Sequence, residues 1–181
     1  MKQAIALILF FLLAPAPCWA ETYEKWVEKC GSYKDVAEWL NRNFRFEQDQ
    51  NGDGQPVSKG NKKRARVQGV EETFRYRCGA ALDAALFARE TLNRINPDYR
   101  AAIIYLSSDR SQVHYLCGFF LGGKLFVMDY GNPHENMIGT HGPFENLADY
   151  AQNFYLRRNP YQKKPQDYHF GFSAVHSPRA R

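Results

Sequence analysis

The chain lacks any long apolar run. Its most hydrophobic stretch, Ala4 to Leu13, is ten residues long, about half of what a helix needs to cross a bilayer. No later segment is apolar enough to insert as a helix, so stable membrane insertion is not expected. Charge of one sign is also scarce. Lys and Arg number 24 against 19 Asp and Glu, a formal net charge of +5 over 181 residues. So small an excess reads as a solvated basic surface that eases contact with anionic polymers, and no nucleic-acid partner is expected. Histidine numbers five. His141, His169 and His176 fall in loop-like stretches without metal-ligand spacing, and His134 follows Asn132-Pro133, where it could line a cleft. There is no internal repeat. What the chain does have is apolar and aromatic content, 44% and 15%, enough to pack one core, and a length suited to one domain.

Residues 1–20 have the pattern of a processing segment. Lys2 supplies a positive start and Ala4 to Leu13 an apolar centre. Pro15 and Pro17 break that centre, and Cys18 and Ala20 put small residues at the −3 and −1 positions of a cleavage site. A secretory signal peptide cut after Ala20 is expected, leaving a single domain over 21–181 that is periplasmic or secreted. Cys18 also admits lipid attachment, although Pro17 fits that motif poorly. Four cysteines are few for an exported chain. Removal of Cys18 leaves Cys30, Cys78 and Cys117, an odd number that predicts one free thiol beside one available pair.

Hydrophobic spacing predicts short helices over Thr22 to Cys30 and Ser32 to Phe44, with Ser32 as an N-cap. Asp49 to Gln68 has no apolar periodicity and reads as a loop. Cys78 to Leu92 reads as an alanine-rich helix with Cys78, Ala81, Leu82, Ala85 and Leu92 on one stripe, stopped by Asn96-Pro97-Asp98. Strands follow over Ala101 to Leu106, Val113 to Leu121 and Lys124 to Tyr130, the last two joined at Gly122-Gly123, a two-residue hairpin signal. A helix is predicted over Phe144 to Leu156 with Pro143 in its first turn. The tail beyond Asn159 is basic and Pro-rich, and its aromatics Tyr161, Tyr168, Phe170 and Phe172 are expected to cover the core.

The hairpin register can be derived. A two-residue loop pairs Leu121 with Lys124, so Leu116 faces Asp129 and His114 faces Gly131. Side chains alternate, placing His114, Leu116 and Asp129 on one face and Val113, Tyr115, Cys117 and Phe119 on the other. His114 and Asp129 become diagonal neighbours within hydrogen-bond reach. A carboxylate in that place fixes the imidazole tautomer and stabilises its protonated form. Taken alone, the pair fits a surface ion pair as well as a catalytic one, although an unpaired carboxylate between Met128 and Tyr130 would be costly.

Cys78 falls at the predicted start of its helix with Arg75 and Arg77 close in sequence. A helix N-terminus and neighbouring cations lower a thiol pKa. A buried structural cysteine is the competing reading.

The order of these three residues carries a resemblance. "YRCGAALDAALFARETL" (Tyr76 to Leu92) resembles the nucleophile helix of the transglutaminase-like superfamily, the branch of the papain-like fold that includes bacterial transglutaminase-like cysteine proteinases. "VHYLCGFFLGGKLFVMDYGNP" (Val113 to Pro133) resembles its His strand, hairpin and Asp strand. Gly79 departs from the acidic or aromatic residue that many members carry after the cysteine. The resemblance implies an α+β fold, with a nucleophile helix packed on an antiparallel sheet. It also implies Cys78 as nucleophile, His114 as base and Asp129 as orienter in a secreted cysteine hydrolase, a peptidase or amidase working through a thioester. No cofactor is required. Its partner would be a protein or peptide substrate, a peptidoglycan peptide among the candidates. A protein transamidase would use the same triad, and a non-catalytic binding module is the reading from another class. The oxyanion would take the Cys78 N–H and a second donor, for which Gln68 is a weak candidate. With Cys78 as nucleophile, Cys30 and Cys117 remain as the available pair, though nothing local brings them together.

One motif stands apart. Asp49-Gln50-Asn51-Gly52-Asp53-Gly54 matches the first half of a calcium loop, with Asp49, Asn51 and Asp53 as ligands and Gly54 at the sharp turn. Gly60 stands where the closing bidentate Glu belongs. Calcium is therefore an optional ion, and a binding module would use it as a clip.

Overall fold

The computed structural model describes residues 21–47, 66–108, 113–158 and 168–173. Residues 1–20, expected to be a signal peptide, and the Asp49–Asp53 motif lie outside the described residues.

Two helices open the fold. α1 (Tyr23–Val27) is capped by the Thr22 hydroxyl, and α2 (Tyr33–Asn43) by a capping box in which Ser32 and Asp35 satisfy each other's backbone donors. β1 (Arg45–Phe46) follows. α3 (Val70–Tyr76) has no counterpart in the sequence reading, and it ends at Arg77, whose φ of 56° is left-handed. That turn lays β2 (Cys78–Gly79) parallel to β1. α4 (Ala81–Ile95) begins only after β2, three residues later than expected. Two contacts set this start: the ladder holds Cys78 and Gly79 extended, and the Asp83 carboxylate accepts the Ala80 N–H at 2.9 Å. The helix ends at Asn96, as predicted.

β3 (Ala102–Ser108), β4 (Val113–Leu121), β5 (Lys124–Asp129), β6 (Gly139–Phe144) and β7 (Tyr168–Ser173) form one antiparallel sheet in the order β6-β5-β4-β3-β7. The β4–β5 register runs from Leu121↔Lys124 to Cys117↔Met128, as the Gly-Gly loop predicts. Pro143 corrects the sequence reading. It lies inside β6, because Phe144 pairs with Leu125, and the helical segment starts beyond it with Asn146 as cap. That segment runs through α5 (Leu147–Asp149), a π-helical stretch (Tyr150–Tyr155) and α6 (Leu156–Arg158).

Alternation along the strands gives the sheet two buried faces. Cys117, Phe119 and Met128 pack with α1–α4 in an aromatic core, where Phe87 is fully buried with its ring centroid 4.5 Å from that of Trp39. Ile104, Leu106, Leu116, Leu125 and Val127 pack on the other face against Tyr150 and Tyr155. α4 is buried over most of its circumference, since Ala81, Ala84, Ala85, Leu86, Phe87 and Ala88 are all covered. Its alanines let the helix approach the sheet closely. In the tail, Phe170 packs on the second core, whereas Phe172, in the same edge strand β7, is 49% exposed and does not cover it.

Candidate active site

The hairpin delivers the first pair. His114 Nε2 lies 3.0 Å from both carboxylate oxygens of Asp129. Asp129 is 1% exposed and the His114 side chain 18%. A carboxylate so desolvated needs donors, and among the described residues two side chains supply them. Nε2–H is one, and the buried Asn132 is the other, its Nδ2 donating to Oδ2 at 2.7 Å. Asn132 Oδ1 in turn accepts the His134 N–H at 3.0 Å, which fixes the amide orientation. Asn132 Nδ2 also lies 3.3 Å from His114 Nε2. Two donors cannot bond each other, so this is a contact around a shared acceptor. With Nε2 carrying the proton toward Asp129, Nδ1 is left as the basic nitrogen. Asn132 was not among the residues read from the sequence. Its only signal is its place three residues beyond Asp129.

Cys78 is half-buried in β2. Ladder bonds run from Arg45 N–H to Arg77 O and from Glu47 N–H to Gly79 O. Alternate residues of a strand bond to opposite sides, so the Cys78 N–H and C=O leave by the other edge. Its register partner is Arg45, which puts Arg45, Cys78 and Glu47 on one face. Burial raises the thiol pKa, the nearby Glu47 carboxylate raises it further, and Arg45 opposes them. This corrects the expectation of a lowered pKa. The helix begins three residues downstream, and Arg75 is turned onto the Tyr76 ring, with its guanidinium 4.6 Å from the centroid.

Behind Cys78 sits a buried carboxylate. Asp83 is 1% exposed and accepts Gln68 N–H at 2.8 Å on one oxygen and Ala80 N–H at 2.9 Å on the other. Gln68 Nε2 donates to the Cys78 carbonyl at 3.1 Å. Gly79 is required here, because a Cβ would lie 2.7 Å from an Asp83 oxygen. Gly131 plays the matching part on the hairpin side: a Cβ there would lie 2.3 Å from the Ala81 Cα. The end of β5 is therefore pressed against the start of α4, and Cys78 and Asp129 flank this contact at three and two residues' distance along the chain.

The structure thus joins His114 to Asp129 by hydrogen bonds and brings the Cys78 segment to the same end of the sheet. Among the described residues, the thiol's main polar neighbour is the Glu47 carboxylate, which raises its pKa, and no hydrogen bond links it to His114. Cys30, Cys78 and Cys117 are all free, so the Cys30–Cys117 pair is not a bridge. The three calcium candidates lie outside the described residues, within which no group of three or more His, Cys, Asp or Glu could hold a metal. No described helix is long and apolar enough to cross a membrane.

A family profile described as "Transglutaminase-like domain" matches residues 22–140, more than half of the chain. No curated protein matches it. Solved structures similar to it include Legionella pneumophila LapG in a calcium-bound form (18% identity, TM-score 0.41, covering 55% of this chain and 52% of that one) and in an EGTA-treated form (19% identity, TM-score 0.40, covering 55% and 51%). The match spans about half the length of these relatives.

Proposed function

The chain belongs to the family of transglutaminase-like domains, and from that premise we propose that it is an exported cysteine hydrolase, a peptidase or amidase, with Cys78 as nucleophile, His114 as base and Asp129 as orienter. One observation supports this reading most: a nearly fully buried carboxylate holds both its oxygens 3.0 Å from His114 Nε2, committing that nitrogen and leaving Nδ1 basic.

In the proposed reaction the thiol exchanges Glu47 for Nδ1 of His114. Because the thiol pKa is raised, the resting residue is protonated, and His114 acts as a general base during attack rather than as half of a standing ion pair. The proton passes to Nδ1 as sulfur bonds the amide carbonyl carbon. The Cys78 N–H, directed away from β1, faces the developing oxyanion. His114 then returns the proton to the leaving amine as the C–N bond breaks. Water resolves the thioester with His114 again as base, and an amine in its place would give transamidation. Asp129 stabilises the imidazolium throughout and Asn132 holds Asp129. Calcium at Asp49, Asn51 and Asp53 stays a proposal for stability, and no step passes through it. Residues 1–20 as signal peptide and a periplasmic or secreted protein acting on protein or peptide complete the proposal.

The binding-module reading draws on the thiol's engagement with Glu47. Thiol reactivity separates the two. Iodoacetamide at neutral pH, followed by mass spectrometry, is expected to modify Cys78 before Cys30, whose pKa burial pushes up to about 11, and before the fully buried Cys117, pushed higher still. Modification of Cys30 first, with Cys78 inert, would favour the binding module.

A further inference from the structure

We propose that Asp83 and Gln68 form a strap that positions the Cys78 backbone for acyl transfer, making both positioning residues of the reaction. The proposal rests on the cysteine-hydrolase reading above. It is carried by a continuous chain of bonds from a buried carboxylate to the nucleophile's own peptide: Asp83 to Gln68 N–H at 2.8 Å, then Gln68 Nε2 to Cys78 O at 3.1 Å.

Three features set this chain apart from ordinary capping. Asp83 satisfies the Ala80 N–H with one oxygen, which is all the helix start requires of it. The other oxygen reaches across 15 positions of sequence to the 66–69 segment. Among the described residues, Gln68 Nε2 donates to the Cys78 carbonyl, and its Oε1 is buried without a partner. An orphaned buried acceptor is costly, so the amide is held in this orientation by the bond its nitrogen makes. Gly79 gives up its side chain to the same carboxylate, since a Cβ would lie 2.7 Å from it.

The geometric effect falls on the backbone torsions of Cys78. β1 holds the peptide groups of Arg77 and Gly79, while the Cys78 carbonyl points to the opposite edge, where Gln68 is its partner. That bond fixes the 78–79 peptide plane, and with the 77–78 plane already anchored through the Arg77 carbonyl it sets both backbone torsions of Cys78 and so the direction in which the thiol is presented. Loss of the strap leaves the residue in place but lets it rotate. A misplacement of about 1 Å in a reacting group reduces rate on the order of 10²-fold.

The test uses two reagents on the same sulfur. With p-nitrophenyl acetate the thiolate bonds the acetyl carbon and p-nitrophenolate leaves with the C–O electron pair, so an oxyanion forms on the way. With iodoacetamide, above the thiol's pKa, sulfur displaces iodide and neither base nor oxyanion donor is needed. In Gln68→Met, acylation at neutral pH should fall on the order of 10²-fold, while alkylation at high pH stays within about twofold. Asp83→Asn keeps the side-chain shape but replaces an acceptor with a donor, and should show the same signature. The double variant should fall no further than either single one, because links of one chain do not add. Equal losses with both reagents, additive losses, or unchanged acylation in Gln68→Met would each overturn the strap. Should Gln68→Met alone misfold, shown by collapse of its thermal transition, Asp83→Asn with the same pair of reagents decides. Failure of the underlying reading looks different, with Cys78→Ala releasing p-nitrophenolate as fast as wild type.

Discussion

Arg45 and Cys78 are register partners in a parallel ladder only two residues long, and Glu47 follows on the same face. The candidate nucleophile therefore lies beside a cation from β1 and an anion from the residue that follows it. Burial and the anion outweigh the cation, and the thiol pKa is raised.

Removing the anion should reverse part of that shift. Glu47→Gln deletes a negative charge beside the thiol and should lower its pKa, whereas Arg45→Ala should raise it. Below the pKa the thiolate fraction changes about tenfold per pH unit, so Glu47→Gln should alkylate faster than wild type at pH 7 and Arg45→Ala more slowly. The pH dependence of iodoacetamide labelling of Cys78 checks both. Identical midpoints in wild type and Glu47→Gln would show that the carboxylate does not govern the thiol.

Asp129→Asn preserves volume but replaces the acceptor facing His114 Nε2. The imidazole loses the partner that fixes its tautomer, and acylation should fall on the order of 10⁴-fold. Because Asn132 donates to the same oxygen, Asn132→Ala should give a smaller loss in the same direction. Burst kinetics with p-nitrophenyl acetate measure both, and a wild-type burst in Asp129→Asn would remove the orienter from the mechanism.

Gly131 is where the hairpin touches the start of α4. A methyl group there would lie 2.3 Å from the Ala81 Cα, too close for side-chain adjustment to relieve, so Gly131→Ala should separate the two segments. A stability loss of about 1–3 kcal/mol is expected, read from urea unfolding, with reduced acylation. Unchanged values in both would mean that the contact does not hold the site together.

If Asp49, Asn51 and Asp53 bind calcium, the ion should stabilise the native state by mass action, by about 2.7 kcal/mol at a hundredfold excess over Kd. Thermal unfolding with calcium and with chelator reads this. Superimposable curves would remove the ion from the account.

The His114–Asp129 pair was legible in the sequence because Gly122-Gly123 fixes a register and period-two alternation does the rest. The surroundings of Cys78 were not. β1 and β2 have two residues each, too few to show periodicity, and their pairing joins positions 45 and 78 across a segment with no pattern of its own. Without that ladder Arg45 and Glu47 are invisible, Arg75 and Arg77 look like the relevant charges, and the thiol is read with the wrong sign. Asp83 was hidden because a carboxylate at the third helical position reads as ordinary capping, and its second bond to Gln68 appears only once the 66–69 segment folds back. Pro143 misled through a real preference: proline suits the first turn of a helix, but it is also tolerated in the edge strand β6, where Phe144 pairs with Leu125.

The coupling of Cys78 to His114 is tested most directly by the alkylation rate of Cys78 as a function of pH in wild type and in His114→Ala. With a raised thiol pKa, labelling near neutrality depends on a base, and labelling above that pKa does not. His114→Ala is expected to react more slowly than wild type near pH 7, and the two profiles are expected to converge at high pH. Profiles that coincide throughout would contradict this coupling, leaving Cys78 an ordinary buried thiol beside Glu47 and His114 a structural partner of Asp129.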